Sequence, residues 1–340
     1  MNLIRIKSKD LKAYEKVGKN WKVVKKEFPE LISVVNQFKV HRNFKILVDT
    51  KDSRFLKGQL NDGKEQGARI DVLPNGEKLE KAYSLFSPHL KLHEEMSHDH
   101  WDVMYQNKGG GWSYVYTLEK RKKHRALKYK KVNEFEKRYL KLVRNVQKGL
   151  IEGDEMAVPM LTLLKTYMRI GNETYFKVNG HKGLTTLMKK NVSVKGNRVS
   201  FSYLGKDGVP IDISQRFSTI FIKRFKGVLR GKKKDDFIFS KGKGILHEND
   251  FKKAFVNYCG CEFYPHIVRS HYATMKVKKF LDKNKKFTKK DVEKLYLSVA
   301  HDLGHKKFNK KTQEWQEHYV VTVNSYISPI LVEKIDRSVK

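Results

Sequence analysis

The sequence is poor in cysteine and acidic residues, and it contains no long apolar run. The only two cysteines, Cys259 and Cys261, lie too close together for an ordinary disulfide and lack the partners of a zinc site, which suits a reducing compartment. No apolar segment approaches the roughly 20 residues that span a bilayer. The N-terminal MNLIRIKSKD also lacks the apolar stretch of a signal peptide. We therefore expect an intracellular protein without a membrane segment.

Motifs for nucleotide or metal binding are also missing. The sequence has no Walker loop and no pair of carboxylates in a DxD arrangement. HEEMSH at residues 93–98 is one residue too long for the HExxH helix motif of zinc proteases. With His89 and His100 it is more typical of a surface cluster. We expect no cofactor and no metal.

The excess of positive charge is the strongest compositional signal. Lys and Arg number 72 against 37 Asp and Glu, which gives a formal net charge of +35. A surface this basic indicates nucleic-acid phosphate as the partner. An anionic membrane is the alternative, but membrane binding is typical of a basic amphipathic end segment, whereas here the charge runs the length of the chain.

The N-terminal third predicts a β-rich domain over residues 1–118. Its first 60 residues are mostly unassigned, except that residues 8–28 predict a helix capped by Ser8. From about residue 60 the signals become short and strand-like, with a turn at Asn75-Gly76 and an alternating WSYVYT.

A basic run, EKRKKHRALKYKK at residues 119–131, follows this region. A solvated charge run is the ordinary interpretation of such a stretch. Its position between a strand-rich and a helix-rich part favours a hinge that runs along a DNA backbone. The predicted DNA contacts here are Lys122, Lys123, Arg125 and Lys128.

Residues 119–340 predict this hinge and a mainly helical domain. A helix from residue 132 carries one apolar face at helical spacing, formed by Val132, Phe135, Tyr139, Leu142, Val143 and Val146. A second helix covers VPMLTLLKTYM, and NVSVKGNRVSFSYLGKDGVPIDI predicts a small three-stranded antiparallel sheet. Later helices are predicted near residues 216–230, 249–258, 266–282 and 289–303, and the capping pair Thr288 and Asp291 begins the last of these. The fold class is α+β, a small β-rich N-terminal domain followed by a larger, mainly α-helical domain.

Five residues of the second domain carry side chains suited to phosphate chemistry. Each also has an ordinary interpretation, since arginines form surface ion pairs, turn lysines are solvated, a histidine after glycine caps a helix and most tyrosines pack. The five residues are Arg169 at a helix end, Lys206 on a hairpin turn, Arg269 in HIVRSHYAT, His305 after Gly304 and Tyr326 in NSYISP.

The contexts of these residues resemble the type IB DNA topoisomerases of the small poxvirus-like and bacterial kind. RIGNETYFKVNGHKGLTTL, VSFSYLGKDGV, RSHYAT, LGH and SYISP match that family's motifs in order and approximate spacing. Upstream, HDHWDVMY and GGGWSYVYT resemble the end of its N-terminal domain. The resemblance covers about residue 65 to the end and implies that residues 1–118 include a DNA clamp.

The resemblance also implies a role for each residue. Tyr326 is expected to attack phosphorus and form a 3′-phosphotyrosyl link, while Arg169, Arg269 and His305 hold the non-bridging oxygens. Lys206, together with Arg169, is expected to protonate the departing 5′ oxygen. Metal-free phosphodiester exchange requires such a nucleophile, cationic donors and an acid. The implied enzyme is a monomer that relaxes double-stranded DNA without ATP or metal. Tyr175 is a further candidate DNA contact, or equally a core aromatic.

Two features depart from the family pattern. PHIV precedes Arg269 where relatives tend to have a Lys-Asp pair. Tyr326 lies 21 residues after His305, further than in the compact relatives, and the intervening stretch at 306–324 predicts an added helix. It brings in Tyr319 as a rival nucleophile, but Ser325, Ile327 and Pro329 favour Tyr326.

Two alternatives explain parts of the same pattern. A tyrosine recombinase or integrase shares the Arg, Lys, Arg, His and Tyr chemistry but joins two DNA sites. A DNA-binding protein without catalysis would explain the charge alone. In each case we expect an intracellular, DNA-associated location. This is the cytoplasm or nucleoid, or a viral factory or virion if the chain is viral.

Overall fold

In the computed structural model, the chain divides into two units, residues 1–127 and 128–340. The structure describes residues 3–67, 69–93, 101–107, 110–242 and 244–339, without the side chains of Thr174, Tyr175 and Lys241. Of the predicted cluster of His89, His93, His98 and His100, the last two lie outside the described residues.

The first unit is rich in short antiparallel strands. These are β1 (Leu3–Ile6), β2 (Ala13–Val17), β3 (Asn20–Val23), β4 (Gln59–Asn61), β5 (Lys64–Gln66), β6 (Ile70–Val72), β7 (Lys78–Tyr83), β8 (Lys91–Leu92), β9 (Val103–Gln106) and β10 (Trp112–Val115). They form a five-stranded sheet in the order β3-β2-β1-β4-β5, a three-stranded sheet β10-β9-β8 and a pair β6-β7. Helix α1 (Pro29–Val40) contributes Val35 and Phe38 to the core of this unit.

The predicted helix at residues 8–28 is wrong, because this stretch forms the hairpin of β2 and β3. Val17 pairs with Asn20 across a two-residue turn, and Gly18 adopts a positive φ of 60° there, which favours glycine. Pairing of Ala13 with Ile6 of β1 buries the start of the hairpin. Sheet pairing therefore outweighs the helix propensity of the lysines and glutamates. The first helix begins later, with Pro29 in its first turn.

The second unit is mainly helical. Its helices are α2 (Leu118–Glu152), which begins in the first unit, α3 (Ala157–Thr166), α4 (Glu173–Asn179), α5 (Thr219–Leu229), α6 (Glu248–Cys259), α7 (Ile267–Lys283), α8 (Lys289–Asp302), α9 (Val320–Tyr326) and α10 (Pro329–Ser338). Strands β11 (Val192–Lys195), β12 (Arg198–Leu204) and β13 (Pro210–Arg216) form the predicted three-stranded antiparallel sheet. Two small pairs are β14 (Ser240–Lys241) with β15 (Gly244–Ile245) and β16 (Lys306–Asn309) with β17 (Glu314–Glu317).

Helix α2 shows how the apolar pattern determines this packing. Its predicted apolar face buries Val132, Phe135, Leu142 and Val146, and packs Tyr139 and Val143 against the same core. Residues 119–131, the predicted hinge, form the helical beginning of α2. Thr288 and Asp291 cap α8 reciprocally, as predicted.

The predicted helix at 306–324 is wrong over most of its length. Residues 306–317 form the hairpin of β16 and β17, where Phe308 pairs with Trp315. Asn309 Oδ1 accepts hydrogen bonds from the Lys311 and Thr312 amides and closes the turn. Only α9 is helical in this stretch. The cross-strand aromatic pair and the turn therefore override helix propensity.

The mixed architecture confirms the predicted fold class, with a strand-rich beginning and a larger helical part that contains the small sheet. Among the described residues, no helix combines the length and apolar character needed to cross a bilayer.

Candidate active site

Arg169 lies on a short segment after α3 that contacts another part of the backbone very closely. The Leu184 amide donates a hydrogen bond to the Arg169 carbonyl oxygen at 2.8 Å. A Cβ atom on Gly183 would lie 2.7 Å from that oxygen and 2.3 Å from the carbonyl oxygen of Ile170. Only glycine allows this approach. The GLTT motif thus fixes the backbone that carries Arg169.

Lys206 is exposed on the turn between β12 and β13. The start of β13 packs against the LGH motif, because a Cβ atom on Gly304 would lie 2.5 Å from Cδ1 of Ile211. Lys206 lines the same small cavity as Arg169 and Arg269. The hairpin turn therefore holds Lys206 at the small cavity that Arg169 and Arg269 also line.

Arg269 on α7 is almost fully buried, with 2% of its surface exposed. Its Nη1 donates to the Tyr167 carbonyl, and its Nη2 donates to the Leu303 carbonyl at 2.8 Å and lies 2.9 Å from His305 Nε2. Because a guanidinium only donates, Nε2 accepts and the imidazole proton is assigned to Nδ1, 2.7 Å from Thr322 Oγ1. Burial, together with the charge of Arg269, lowers the pKa of His305 to about 2. The imidazole is neutral.

Tyr326 is the last residue of α9 and is 5% exposed. Its ring centroid lies 4.9 Å from the His305 ring, 5.2 Å from the His266 ring and 5.1 Å from Arg269 Cζ. Thr274 Oγ1 donates to the Tyr326 carbonyl at 3.3 Å. Burial and the charge of Arg269 lower the pKa of His266 to about 3. The Tyr326 phenol thus lies beside two neutral imidazoles and a buried guanidinium.

The two arginines favour the ionised form of the Tyr326 phenol. Burial alone would raise its pKa, but the charges and hydrogen bonds of Arg269 and Arg169 outweigh burial and lower it. Burial dominates at nearby Tyr203 on β12, whose pKa rises to about 12 despite the same arginines. Burial and the charge of Arg169 lower the pKa of Arg269 to about 10. This site favours anions, a phenolate or a phosphate.

Tyr319, the rival nucleophile, occupies a different position at the start of α9. Its ring lies 5.8 Å from the Tyr296 ring and 6.4 Å from the His318 ring. Tyr319 packs against the helical cluster formed by α7, α8 and α10, to which buried Tyr326 also belongs. Tyr326 in addition contacts the His305 ring and the Arg269 guanidinium.

The residues predicted to contact DNA are distributed over both units. Three are exposed in the part of α2 that belongs to the first unit: Lys122, Lys123 and Arg125. Lys128 belongs to the second unit, where its Nζ donates to the Ser325 carbonyl and lies 5.3 Å from the centroid of the Tyr326 ring. The side chain of Tyr175 lies outside the described residues.

Several neighbours of the site were not predicted from the sequence. Thr322 precedes Tyr326 by four residues on α9, so the helical i, i+4 spacing could have placed both side chains on one face. His266 is part of the PHIV departure, and its contact with Tyr326 depends on chain folding that no local pattern shows. Over the described residues, no group of three or more His, Cys, Asp or Glu side chains is placed to hold a metal ion.

Comparisons with known proteins found a matching family and a relative. The family model described as eukaryotic DNA topoisomerase I, catalytic core, matches residues 117–328, a range that contains all five candidate catalytic residues. A DNA topoisomerase 1B of Acanthamoeba polyphaga mimivirus is 24% identical over 198 residues, which cover 52% of this chain and 59% of the relative. The chain thus spans about three fifths of that relative's length.

Two solved structures also show limited similarity. One is the XerH site-specific recombinase bound to difH substrate in a pre-cleavage complex, with 15% identity, a TM-score of 0.33 and coverage of 48% of this chain and 44% of that chain. The other is XerH bound to palindromic difH substrate in a post-cleavage complex, with 13% identity, a TM-score of 0.34 and coverage of 50% and 45%.

Proposed function

The chain belongs to the DNA topoisomerase I catalytic-core family, and we propose that it is a type IB enzyme that relaxes supercoiled double-stranded DNA. The observation that carries the proposal is the Tyr326 phenol, buried against Arg269 and His305, with its pKa lowered by Arg269 and Arg169 despite burial. A nucleophilic tyrosine needs this electrostatic setting to attack a phosphodiester near neutral pH.

In the proposed reaction, the Tyr326 phenol first loses its proton to solvent, which the two arginines favour by lowering its pKa. The phenolate Oη then attacks phosphorus and the 5′ oxygen departs. Arg169 and Arg269 neutralise the charge that develops on the non-bridging oxygens, for which the planar guanidinium is suited. Lys206, on its exposed turn, donates the proton to the leaving oxygen together with Arg169. The phosphotyrosyl link conserves the energy of the broken bond, so the freed 5′ hydroxyl restores the strand without ATP.

His305 changes its hydrogen bonding in this scheme. Its Nε2 faces Arg269 and its Nδ1 faces the Thr322 hydroxyl. A hydroxyl can accept or donate, so Thr322 can also support the tautomer that carries the proton on Nε2. In that tautomer, and with Arg269 turned to the phosphate, His305 donates to a non-bridging oxygen. The ring contributes this bond without becoming charged.

We propose that the enzyme acts as a monomer, with the first unit serving as a DNA clamp and the beginning of α2 as a phosphate-binding surface. The net charge of +35 supports an intracellular, DNA-associated protein. The recombinase alternative requires two DNA sites and an assembly of protomers. A plasmid relaxation experiment distinguishes it from a topoisomerase.

Plasmid relaxation tests the proposal. Wild-type protein should relax positively and negatively supercoiled plasmid in EDTA without ATP, while Tyr326→Phe should bind the plasmid and leave it supercoiled. A strict requirement for ATP or magnesium would contradict the proposal. Exchange of strands between two duplexes would favour the recombinase, and binding with no change of topology would favour a DNA-binding protein without catalysis.

A further inference from the structure

Lys128 has a contact that its predicted role as a phosphate ligand does not explain. Its side chain is half-buried, and its Nζ donates a hydrogen bond to the carbonyl oxygen of Ser325, the residue before Tyr326. The same Nζ lies 5.3 Å from the centroid of the Tyr326 ring. One ammonium group thus contacts both the backbone and the ring of the nucleophile segment.

The Ser325 carbonyl is one that needs an outside partner. Helix α9 ends at Tyr326, and the last four carbonyls of a helix have no partner within the helix. A cation at this end is also favoured by the helix dipole, and an ammonium near an aromatic face gains a further attraction. Lys128 therefore acts as a C-terminal cap for α9, supplied by α2.

The next carbonyl is held by a side chain from a different helix. Thr274 on α7 donates to the carbonyl oxygen of Tyr326 at 3.3 Å. With Lys128 on Ser325, the peptide groups on both sides of the Tyr326 Cα are anchored to two different helices. The side chain that leaves this Cα then has a defined direction toward Arg269 and His305.

We propose that Lys128 is a positioning residue for the nucleophile rather than a DNA phosphate contact. It holds the end of α9 so that Tyr326 Oη meets the phosphorus in line. The inference rests on the proposed function and assigns Lys128 a part in it that neither the family motifs nor the basic run reveals. The rate of attack depends strongly on the position of the nucleophile, since a displacement of about 1 Å can lower the rate about 100-fold.

Single-turnover cleavage under saturating DNA separates the two roles. Lys128→Met keeps the aliphatic stem but removes the donor, Lys128→Arg keeps a donor and a cation, and Lys137→Met is a matched control. Lys137 is exposed on α2 outside the basic run. Each variant is measured for the rate of covalent adduct formation, the DNA dissociation constant at several salt concentrations and the thermal unfolding midpoint.

We expect Lys128→Met to form adduct about 10- to 100-fold more slowly at saturation, with an unchanged salt slope and a dissociation constant within about threefold of wild type. Lys128→Arg should recover most of the rate, and Lys137→Met should match wild type. Rescue by arginine with unchanged affinity also separates positioning from loss of folding.

Three results would overturn the inference. A salt slope lower by about 1 with normal cleavage at saturation would make Lys128 a phosphate contact. Adduct formation by Lys128→Met at the wild-type rate would show that the cap does not orient Tyr326. Wild-type protein that forms no adduct would refute the proposed function itself, and this inference with it.

Discussion

Arg269 Nη2 lies 2.9 Å from His305 Nε2, and this contact requires the imidazole to be an acceptor. Both side chains are buried, so protonation of His305 would place two cations side by side. This relationship explains why a histidine proposed to bind phosphate has a pKa of about 2. It also links the stability of the fold to pH.

The first prediction concerns that link. His305 has a lower pKa folded than its usual unfolded value of about 6.5, so the unfolded state binds the extra proton. Its contribution to stability is therefore present above about pH 6.5 and is lost as pH falls below it. Between pH 7.5 and 5, the free energy of unfolding measured with urea should fall less steeply for His305→Gln than for wild type. The two slopes should differ by up to about 1.4 kcal/mol per pH unit.

The control for this measurement is His41→Gln, at an exposed histidine of the first unit. It should keep the wild-type dependence on pH. Equal slopes for His305→Gln and wild type would mean that burial and the charge of Arg269 do not hold His305 neutral.

The second prediction concerns the backbone beneath Arg169. Gly183→Ala would force a Cβ atom to within 2.3 Å of the Ile170 carbonyl oxygen, so the Arg169 segment must shift. Covalent adduct formation should fall by about 100-fold or more, while DNA binding persists. Gly227→Ala, in open space on α5, should keep activity and raise stability by about 0.5–1 kcal/mol. Wild-type cleavage by Gly183→Ala would show that the close approach does not position Arg169.

The third prediction tests proton donation by Lys206. Lys206→Ala should cleave ordinary DNA about 10²- to 10⁴-fold more slowly than wild type. DNA with sulfur at the 5′ bridging position needs no protonation of the leaving group, so it should restore most of the lost rate. Single-turnover cleavage of both substrates measures this. A variant equally slow on both substrates would indicate a purely electrostatic role.

The fourth prediction concerns the basic surface at the start of α2. Replacing Lys122, Lys123 and Arg125 together by glutamine should lower the slope of log affinity against log salt by about 2–3, because each lost phosphate contact removes about 0.9. The charge-preserving change of both lysines to arginine should keep the wild-type slope. Fluorescence anisotropy with a duplex across a salt series measures both. If the triple variant keeps the wild-type slope, the run is only a solvated face.

Much of this architecture was predictable from local patterns. The apolar face of α2 from Val132 onward and the capping pair of α8 follow directly from helical spacing and hydrogen-bonding side chains. The motif order also indicated which five side chains would be brought near one another. Short motifs carry this information because glycines such as Gly183 and Gly304 are required by close contacts.

The features that were not predicted depend on contacts between segments rather than on local patterns. Residues 8–28 and 306–317 are rich in lysine and glutamate, which favour helices locally, but both stretches form hairpins. Their structure is decided by pairing across a turn and, for β2, by pairing with β1. The contact of Lys128 with Ser325 joins positions 197 residues apart. No periodicity within one segment can reveal such a partner.

The nucleophile assignment is tested most directly by mapping the covalent adduct. Wild-type protein is trapped on DNA, digested with protease, and the phosphotyrosyl peptide is sequenced by mass spectrometry. The account predicts the link on Tyr326, with adduct lost in Tyr326→Phe and mostly retained in Tyr319→Phe. A link on Tyr319 would contradict it, because that ring packs against Tyr296, away from the contacts that Tyr326 makes with Arg269 and His305.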